Sequence, residues 1–224
     1  MLLRKEIKYV IPIVQFYGMQ RELGALMAPD VHCGPNGYMV RSLYFDSAFN
    51  TDLHDSLDGL LIKGKIRLRL YSHDSKSVKL EYKRKHDHDG AKHVLTISRE
   101  QAERMAFSDY DFLQTMDNPL ARQIWLRLTE GAYRPASIVE YTRYAYAYPA
   151  SDIRITFDRD IRTSCAPLAF FDEAPALFPM CPGDQGVFEV KYNDFLPAVF
   201  KGIIKRLDMI PQANSKYMQS RLFY

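Results

Sequence analysis

The sequence has few cysteines and no long apolar run, and both absences limit what the protein can be. Its three cysteines are Cys33, Cys165 and Cys181, and no pair of them has the CxxC spacing of a zinc site. This odd number argues against a disulfide framework and favours a reducing compartment. No apolar stretch approaches the roughly 18 residues that a membrane-spanning helix needs. We therefore expect a soluble, unsecreted protein in the cytoplasm.

The sequence also lacks a large excess of charge of one sign. Thirty Lys and Arg residues stand against 27 Asp and Glu, which gives a formal net charge of +3 over 224 residues. A generic nucleic-acid binder carries a wider positive field, so no nucleic-acid partner is expected. Hydrophobic residues make up 47% of the chain, which is sufficient for a substantial core in a single domain over residues 1–224.

The hydrophobic periodicity predicts strands in both halves of the chain and a group of helices in the middle. Strands are predicted over residues 4–10, 38–46, 65–71, 77–85, 93–97, 137–148, 153–158 and 187–192. Helices are predicted after Pro12, over 98–106, over 119–131, over 195–207 and over 215–222. The apolar stripe of the first helix would contain Val14, Phe16, Leu23, Leu26 and Met27. Without regular βαβ alternation, this order predicts an α+β domain on a large antiparallel sheet.

Five of the predicted strands have a charged residue at nearly every second position, so each has one charged face. These faces contain Glu6 and Lys8; Arg67 and Arg69; Lys79, Glu81, Lys83 and Lys85; Arg154, Thr156 and Asp158; and Glu189 and Lys191. For one such strand, the simplest explanation is a sheet face exposed to water. Five strands that carry almost purely Arg, Lys and Glu involve like-charge repulsion, which favours an anionic ligand that offsets it.

In a closed sheet, these charged faces would surround one common space. If about eight antiparallel strands close into a barrel, the faces line its lumen and the helices pack on the outside. A polyanion with a divalent cation would then neutralise the basic side chains. The few carboxylates in the lumen would be metal ligands, because Mg²⁺ and Mn²⁺ prefer oxygen donors and bridge phosphate oxygens.

Seven short motifs occur in a fixed order over nearly the whole chain. They are RKEIKY at 4–9, SLYFD at 42–46, IRLRLY at 66–71, KLEYK at 79–83, YTR at 141–143, FEVK at 188–191 and SKY at 215–217. The ordered set resembles the polyphosphate polymerase domain of the vacuolar transporter chaperone (VTC) type, within the CYTH-like triphosphate tunnel metalloenzymes. Many tunnel metalloenzymes begin with Glu-x-Glu-x-Lys, whereas this chain has Glu6-Ile7-Lys8, which weakens Glu6 as a ligand and favours the polymerase branch.

The resemblance implies an antiparallel tunnel barrel that binds ATP and a growing polyphosphate chain. The implied catalytic residues are Arg67, Arg69, Lys79, Lys83 and Arg143, and the implied phosphate ligands are Lys8, Arg154, Lys191, Lys216 and Tyr44. Glu189 would be the leading ligand of Mn²⁺ or Mg²⁺, and Glu81 would either bind metal or brace its basic neighbours. By analogy with fungal relatives, which carry membrane and phosphate-sensing domains, a membrane protein is a candidate partner.

The implied reaction is phosphoryl transfer from ATP to the end of a polyphosphate chain. One alternative keeps the tunnel but makes the protein a triphosphatase or nucleotide cyclase, in which water or a ribose hydroxyl attacks. The other is a module that binds polyphosphate or nucleotide without catalysis.

Four further residue assignments follow from local context. Asp46 is interpreted as a turn residue, and Asp158 as either a turn cap or a metal contact. Glu140 and Arg143 would face opposite sides of a regular strand. The run His86-Asp87-His88-Asp89 is interpreted as a solvated hairpin turn rather than a metal cluster.

Overall fold

The computed structural model describes residues 4–86 and 89–222, and the chain divides into two compact units. Unit 1 consists of Met1–Met39, Tyr141–Arg162 and Pro179–Ser215. Unit 2 consists of Val40–Glu140, Thr163–Phe178 and Lys216–Tyr224. Each unit is therefore assembled from segments that lie far apart in the sequence.

The strands form a ten-stranded antiparallel sheet, which confirms the predicted α+β class. They are β1 (Arg4–Pro12), β2 (Ala28–Pro29), β3 (Tyr38–Asp46), β4 (Ile62–Leu70), β5 (Ser77–His86), β6 (Asp89–Ser98), β7 (Arg134–Tyr148), β8 (Ile153–Ser164), β9 (Phe178–Pro179) and β10 (Gln185–Asn193). The hydrogen-bonding order is β1-β10-β8-β7-β3-β4-β5-β6, with β2 beside β7 and β9 beside β8. Since this order has β1 and β6 as its two ends, hydrogen bonding within residues 4–86 and 89–222 leaves the sheet open rather than closed.

Seven helices accompany the strands in the described ranges. They are α1 (Ile13–Leu26), α2 (Thr51–Leu57), α3 (Arg99–Ala106), α4 (Phe112–Thr115), α5 (Pro119–Glu130), α6 (Ala198–Lys205) and α7 (Lys216–Leu222). The predicted capping box of α3 is present, because the Ser98 hydroxyl accepts from the Gln101 amide and the Gln101 side chain accepts from the Ser98 amide. Helices α2 and α4, with seven and four residues, are too short to show a helical period and were not predicted.

The core of unit 1 is rich in aromatic rings. Phe16 of α1 packs edge-on against Phe157 of β8 with 4.4 Å between ring centroids, and Phe188 of β10 lies 5.0 Å from the same ring. The expected apolar stripe of α1 was wrong at two positions, since Val14 is 79% exposed and Leu26 is 42% exposed. At about 100° per residue, Val14 points away from the buried side that contains Phe16, Met19 and Leu23, whereas Leu26 lies on that side but is the last residue of the helix.

The core of unit 2 contains the apolar residues that alternate with its charged ones. Ile66, Leu68 and Leu80 are fully buried on β4 and β5, and Ile124 and Leu128 of α5 are fully buried as well. Helix α3 contacts β5 and β6, and α5 contacts β6. Burial of one set of alternate residues turns the other set, which is charged, to the opposite face of the sheet.

Two further expectations concern the compartment. Cys33, Cys165 and Cys181 are all free cysteines, as the sequence predicted. In the part of the chain that the structure describes, no helix has both the length and the apolar character that crossing a bilayer requires.

Candidate functional site

The predicted site residues of unit 2 lie on one face of β3 to β6, which we call the unit 2 face. It contains Ser42 and Tyr44 of β3, Lys65, Arg67 and Arg69 of β4, Lys79, Glu81 and Lys83 of β5, and Lys92 and Thr96 of β6. The strand register therefore brings six predicted residues together: Arg67, Arg69, Lys79, Lys83, Tyr44 and Glu81.

Cationic residues stand directly opposite one another on the unit 2 face. Lys65 is the cross-strand partner of Lys83, and Arg69 is that of Lys79. Lys83 in turn opposes Lys92 on β6. Like charges in these positions destabilise an antiparallel pair. A multivalent anion bound at this face would offset their repulsion.

Glu81 is a buried carboxylate at the centre of these cations. Arg67 donates from Nε and Nη2 to its Oε2 at 2.8 and 2.6 Å. Its Oε1 lies 2.7 Å from Lys92 Nζ and 3.8 Å from Arg69 Nη1. Burial raises the pKa of Glu81, but Arg67, Arg69 and Lys92 outweigh this effect and lower the pKa to about 2. Because both carboxylate oxygens contact cations, the geometry favours the bracing role of Glu81 over metal binding.

Two tyrosines support the cations from the side of β3. Arg67 Nη1 donates to the Tyr44 hydroxyl at 2.8 Å, and the Tyr44 ring lies 5.1 Å from the Tyr217 ring between centroids. Tyr217, on α7, donates its hydroxyl proton to the Asp46 carboxylate. Lys65 Nζ lies 5.4 Å from the centroid of the Tyr217 ring, within cation–π range. This contact links α7 to the unit 2 face.

Asp46 is fully buried and caps a helix, rather than serving only a turn. Its carboxylate accepts from the backbone amides of Ser47, Asp52 and Leu53 at 2.8, 2.9 and 3.1 Å. The last two amides belong to the first turn of α2, where backbone donors otherwise have no partner. Asp46 therefore fixes the start of α2 and holds Tyr217 at the same time.

The predicted site residues of unit 1 lie on one face of β1, β10 and β8, which we call the unit 1 face. It contains Glu6 and Lys8 of β1, Glu189 and Lys191 of β10, and Arg154, Thr156 and Asp158 of β8. Glu6 opposes Lys191 and Lys8 opposes Glu189, whereas Lys191 opposes Arg154. Opposite charges thus alternate here, and the unit 1 face is closer to electrically balanced than the unit 2 face.

Two carboxylates lie close together on the unit 1 face. Lys191 Nζ is 2.5 Å from Glu189 Oε1 and 3.5 Å from Glu6 Oε2, and Lys8 Nζ is 2.7 Å from Glu6 Oε1. Burial raises the pKa of Glu189, but Lys191 and Lys8 outweigh it and leave the pKa lowered. Glu189 is therefore ionised at neutral pH, as a metal ligand must be.

The donor set on the unit 1 face fits a metal that is shared with a phosphate ligand. Among residues 4–86 and 89–222, no three His, Cys, Asp or Glu side chains are grouped to hold a metal by themselves. Mg²⁺ commonly takes one or two carboxylates and completes its shell with water and substrate phosphates. Glu189 is the candidate carboxylate, because Lys191 contacts its Oε1, whereas both oxygens of Glu6 contact lysines. Asp87 and His88 of the interpreted turn lie outside the described residues.

Arg143 is held by a buried carboxylate. It donates from Nε and Nη2 to Asp158 at 2.7 and 2.8 Å, and its guanidinium lies 5.1 Å from the Tyr141 ring centroid. Burial lowers the pKa of Arg143, but the Asp158 charge outweighs it and raises the pKa well above its usual value. The hydrogen bonds show that Asp158 orients Arg143. Arg154, by contrast, is half-exposed and lies 2.6 Å from Asp30.

Glu140 has a structural partner in unit 2. Its Oε2 accepts from Arg41 Nε at 2.6 Å, and Arg41 also donates to the carbonyl of Phe170 at 3.0 Å. Both charged side chains of this pair are buried. A buried pair of this kind, whose Nη1 also donates to the Phe170 and Asp172 carbonyls, joins β3 to β7.

Three residues near the predicted site have roles that the motifs did not indicate. Lys216 is the first residue of α7, and it is its neighbour Tyr217 that contacts Tyr44 and Lys65. Lys65 could have been found from the sequence, because it shares strand parity with Arg67. Identifying Lys92 required the β5–β6 register, and identifying Tyr217 required contacts between residues far apart in the sequence.

Comparisons with known proteins give the family and the fold of the chain. The family model of the VTC domain matches residues 3–223. The fold resembles that of a predicted adenylate cyclase from Bacillus halodurans, with a TM-score of 0.51, 13% identity and 96% of both chains covered. It also resembles one from Vibrio parahaemolyticus, with a TM-score of 0.50, 11% identity and 97% of both chains covered. These likenesses show that the chain shares the fold of these two proteins. Comparison with curated protein sequences gives no significant match.

Proposed function

Because the chain belongs to the VTC domain family, we propose that it is an ATP-dependent polyphosphate polymerase. In the proposed reaction, a terminal oxygen of polyphosphate attacks the γ-phosphorus of ATP. The bond between this phosphorus and the β,γ-bridging oxygen breaks, and ADP leaves. The family and the fold support the binding of a nucleotide or phosphate. The choice of polyphosphate rests on the charges of the unit 2 face.

The directly opposed cations of the unit 2 face are the observation that carries the proposal. Lys65 with Lys83, Arg69 with Lys79 and Lys83 with Lys92 are three like-charged cross-strand pairs. A polyphosphate carries negative charge along its length, so one bound polymer can neutralise several of these pairs together. A single carboxylate or sulfate could neutralise one.

Catalysis would depend on alignment and charge stabilisation, since phosphoryl transfer asks for little covalent chemistry from the protein. Arg67 and Arg69 are oriented by Glu81, and Arg143 is oriented by Asp158. Fixed donors of this kind stabilise charge on phosphoryl oxygens without reorganising. Lys79 and Lys83 would complete the contacts of the unit 2 face. Loss of one cationic contact should cost about 2–4 kcal/mol of transition-state stabilisation.

The unit 1 face would hold Mn²⁺ or Mg²⁺ and further phosphates. Glu189 is the proposed carboxylate ligand, since both oxygens of the neighbouring Glu6 contact lysines. The bound metal would neutralise and polarise phosphoryl oxygens. Further phosphate contacts would come from Lys8, Lys191, Arg154 and Lys216. Cytoplasmic ATP would be the donor, and a cytoplasmic location is part of the proposal.

Incubation with γ-labelled ATP and Mn²⁺ tests the proposal, with the products resolved on a gel. A polymerase yields long labelled polymer together with ADP. Labelled free phosphate without polymer would identify a triphosphatase, and a cyclic nucleotide would identify a cyclase. Tight polyphosphate binding without ADP formation would identify a non-catalytic binding module.

The double variant Lys79→Met with Lys83→Met tests the unit 2 face. Loss of these two contacts should lower the rate of polymer synthesis at least about 1000-fold, at roughly 2–4 kcal/mol for each contact. Lys76→Met is the matched control, because Lys76 is an exposed lysine just before β5 and off the unit 2 face. A wild-type rate in the double variant would remove both lysines from the site. Lysines are preferred to Arg67 and Arg69, whose loss would leave Glu81 buried and poorly paired.

A further inference from the structure

Lys65 lies within the unit 2 face and has no role in the family resemblance, and up to this point only the position of its charge opposite Lys83 has entered the argument. It is two residues from Arg67 on β4 and directly opposes Lys83 on β5. Its ammonium lies 5.4 Å from the centroid of the Tyr217 ring. That ring is fixed, because the Tyr217 hydroxyl donates to buried Asp46. Lys65 is therefore held at the charged face.

The surroundings of Lys65 lower the pKa of its ammonium group. The groups that act on it are Lys63 of its own strand, Lys83 of β5, Tyr44 of β3, Asp52 of α2 and Tyr217 of α7. Burial is the largest influence and lowers the pKa of Lys65. Tyr44 and Asp52 raise it and the two lysines lower it, but burial prevails and the pKa is about 8.

An anion at the unit 2 face would reverse this balance. Negative charge near an ammonium favours its protonated form, so a bound polyphosphate raises the pKa of Lys65. An amine that is partly neutral in the free protein then takes up a proton when the polymer binds. By linkage, the polymer binds more tightly where the amine is already protonated.

We propose that Lys65 is a further phosphate-binding residue whose protonation is coupled to polyphosphate binding, so that the unit 2 face holds the polymer more tightly at neutral than at alkaline pH. The proposal rests on the proposed function, because it concerns the same face. It adds a specific contact and a pH dependence that the motifs do not contain.

Calorimetric titration of the whole chain with tripolyphosphate tests the coupling. The affinity of the wild type should fall roughly tenfold between about pH 7 and about pH 9, as Lys65 loses its proton. Near pH 8, titrations in buffers of different ionisation enthalpy should show proton uptake on binding. Lys65→Arg stays charged throughout this range, so it should bind at both pH values and lack the uptake that Lys65 contributes.

Lys65→Met should bind tripolyphosphate about tenfold more weakly than the wild type near pH 7, by loss of one charged contact. Lys76→Met changes the net charge equally at an exposed position and should keep both the wild-type affinity and its pH dependence. Protonation of tripolyphosphate itself is common to all variants, so differences between them report Lys65. Lys65→Arg keeps the test decisive if Lys65→Met folds poorly.

Two results would overturn the proposal: wild-type affinity in Lys65→Met, or the wild-type pH dependence in Lys65→Arg. Failure of the wild type to bind tripolyphosphate would overturn both this inference and the proposed function. Binding that depends on Lys65, in a protein that makes no polymer from ATP, would keep the inference and discard the polymerase.

Discussion

Glu81 shows how one residue can organise a cationic site. Its carboxylate contacts Arg67, Arg69 and Lys92 while it is only 3% exposed. A buried charge is costly to desolvate and is retained where several donors satisfy it. Here the donors are the cations that would bind phosphate, so the same contacts that stabilise Glu81 also restrict the orientation of the arginines.

The low pKa of Glu81 leads to a prediction at the residue scale. The pKa is about 2 in the folded protein against an ordinary value of 4.5, so its ionised form stabilises the fold above about pH 4.5. This contribution, on the order of 3 kcal/mol, is lost as the pH falls from about 4.5 towards 2. In urea unfolding at a series of pH values, Glu81→Gln should therefore lose less stability over this interval than the wild type.

A matched control for Glu81→Gln is Glu100→Gln, which neutralises an exposed carboxylate on α3. This variant should follow the wild-type dependence of unfolding free energy on pH. If Glu81→Gln follows it too, the cations around Glu81 do not stabilise its charge.

At the scale of elements, local signals determined which helices and strands could be predicted. The capping box at Ser98 and the proline at the start of α5 mark helix starts within a few residues. Helix α2 has no such signal, because its first turn is capped by Asp46 from the end of β3. A helix that depends on a contact with another element cannot be recognised from its own seven residues.

The site residues that were predicted depend on local sequence patterns, whereas those that were missed depend on contacts with other elements. Alternation along one strand is enough to place Arg67 and Arg69 on a common face. The position of Lys92 required the register of the β5–β6 hairpin, and that of Tyr217 required a contact spanning 171 residues, to Asp46. The sequence therefore predicts which strands are charged, whereas the partners of each charge depend on the fold.

Tyr217→Phe tests the link between α7 and α2. The change removes the hydroxyl that donates to Asp46 and keeps the ring, so unfolding free energy should fall by about 1–3 kcal/mol. Amide hydrogen exchange in α2 should become faster, because Asp46 also holds the first turn of that helix. Tyr148→Phe, in unit 1, is the control and should leave exchange in α2 unchanged. Unaltered exchange in Tyr217→Phe would show that α2 does not depend on this contact.

At the scale of the whole molecule, a net charge of +3 conceals an uneven distribution. The unit 1 face alternates Glu6 and Glu189 with lysines, whereas on the unit 2 face cations oppose cations. Composition cannot show this difference, because both faces contribute to one sum. A small net charge is therefore compatible with a strongly cationic face on one unit.

This distribution predicts that tripolyphosphate stabilises the protein against heat. A ligand at about 100 times its dissociation constant adds about 2.7 kcal/mol to the free energy of unfolding. The rise in Tm should shrink as salt increases from about 0.05 to 0.5 M, because salt screens the attraction. Differential scanning fluorimetry measures both effects. Sulfate at matched ionic strength is the control, and an equal rise in Tm with sulfate would contradict selective binding of a multivalent anion.

The directly opposed lysines and arginines of β4, β5 and β6 also bear on how the protein behaves during isolation. In a cell, small anions such as phosphate should bind to these cations, and some of them should copurify with the protein at low ionic strength. A wash in concentrated salt should displace the bound anions and release measurable phosphate. Affinities determined after the wash would then refer to a vacant surface rather than to exchange with anions already in place.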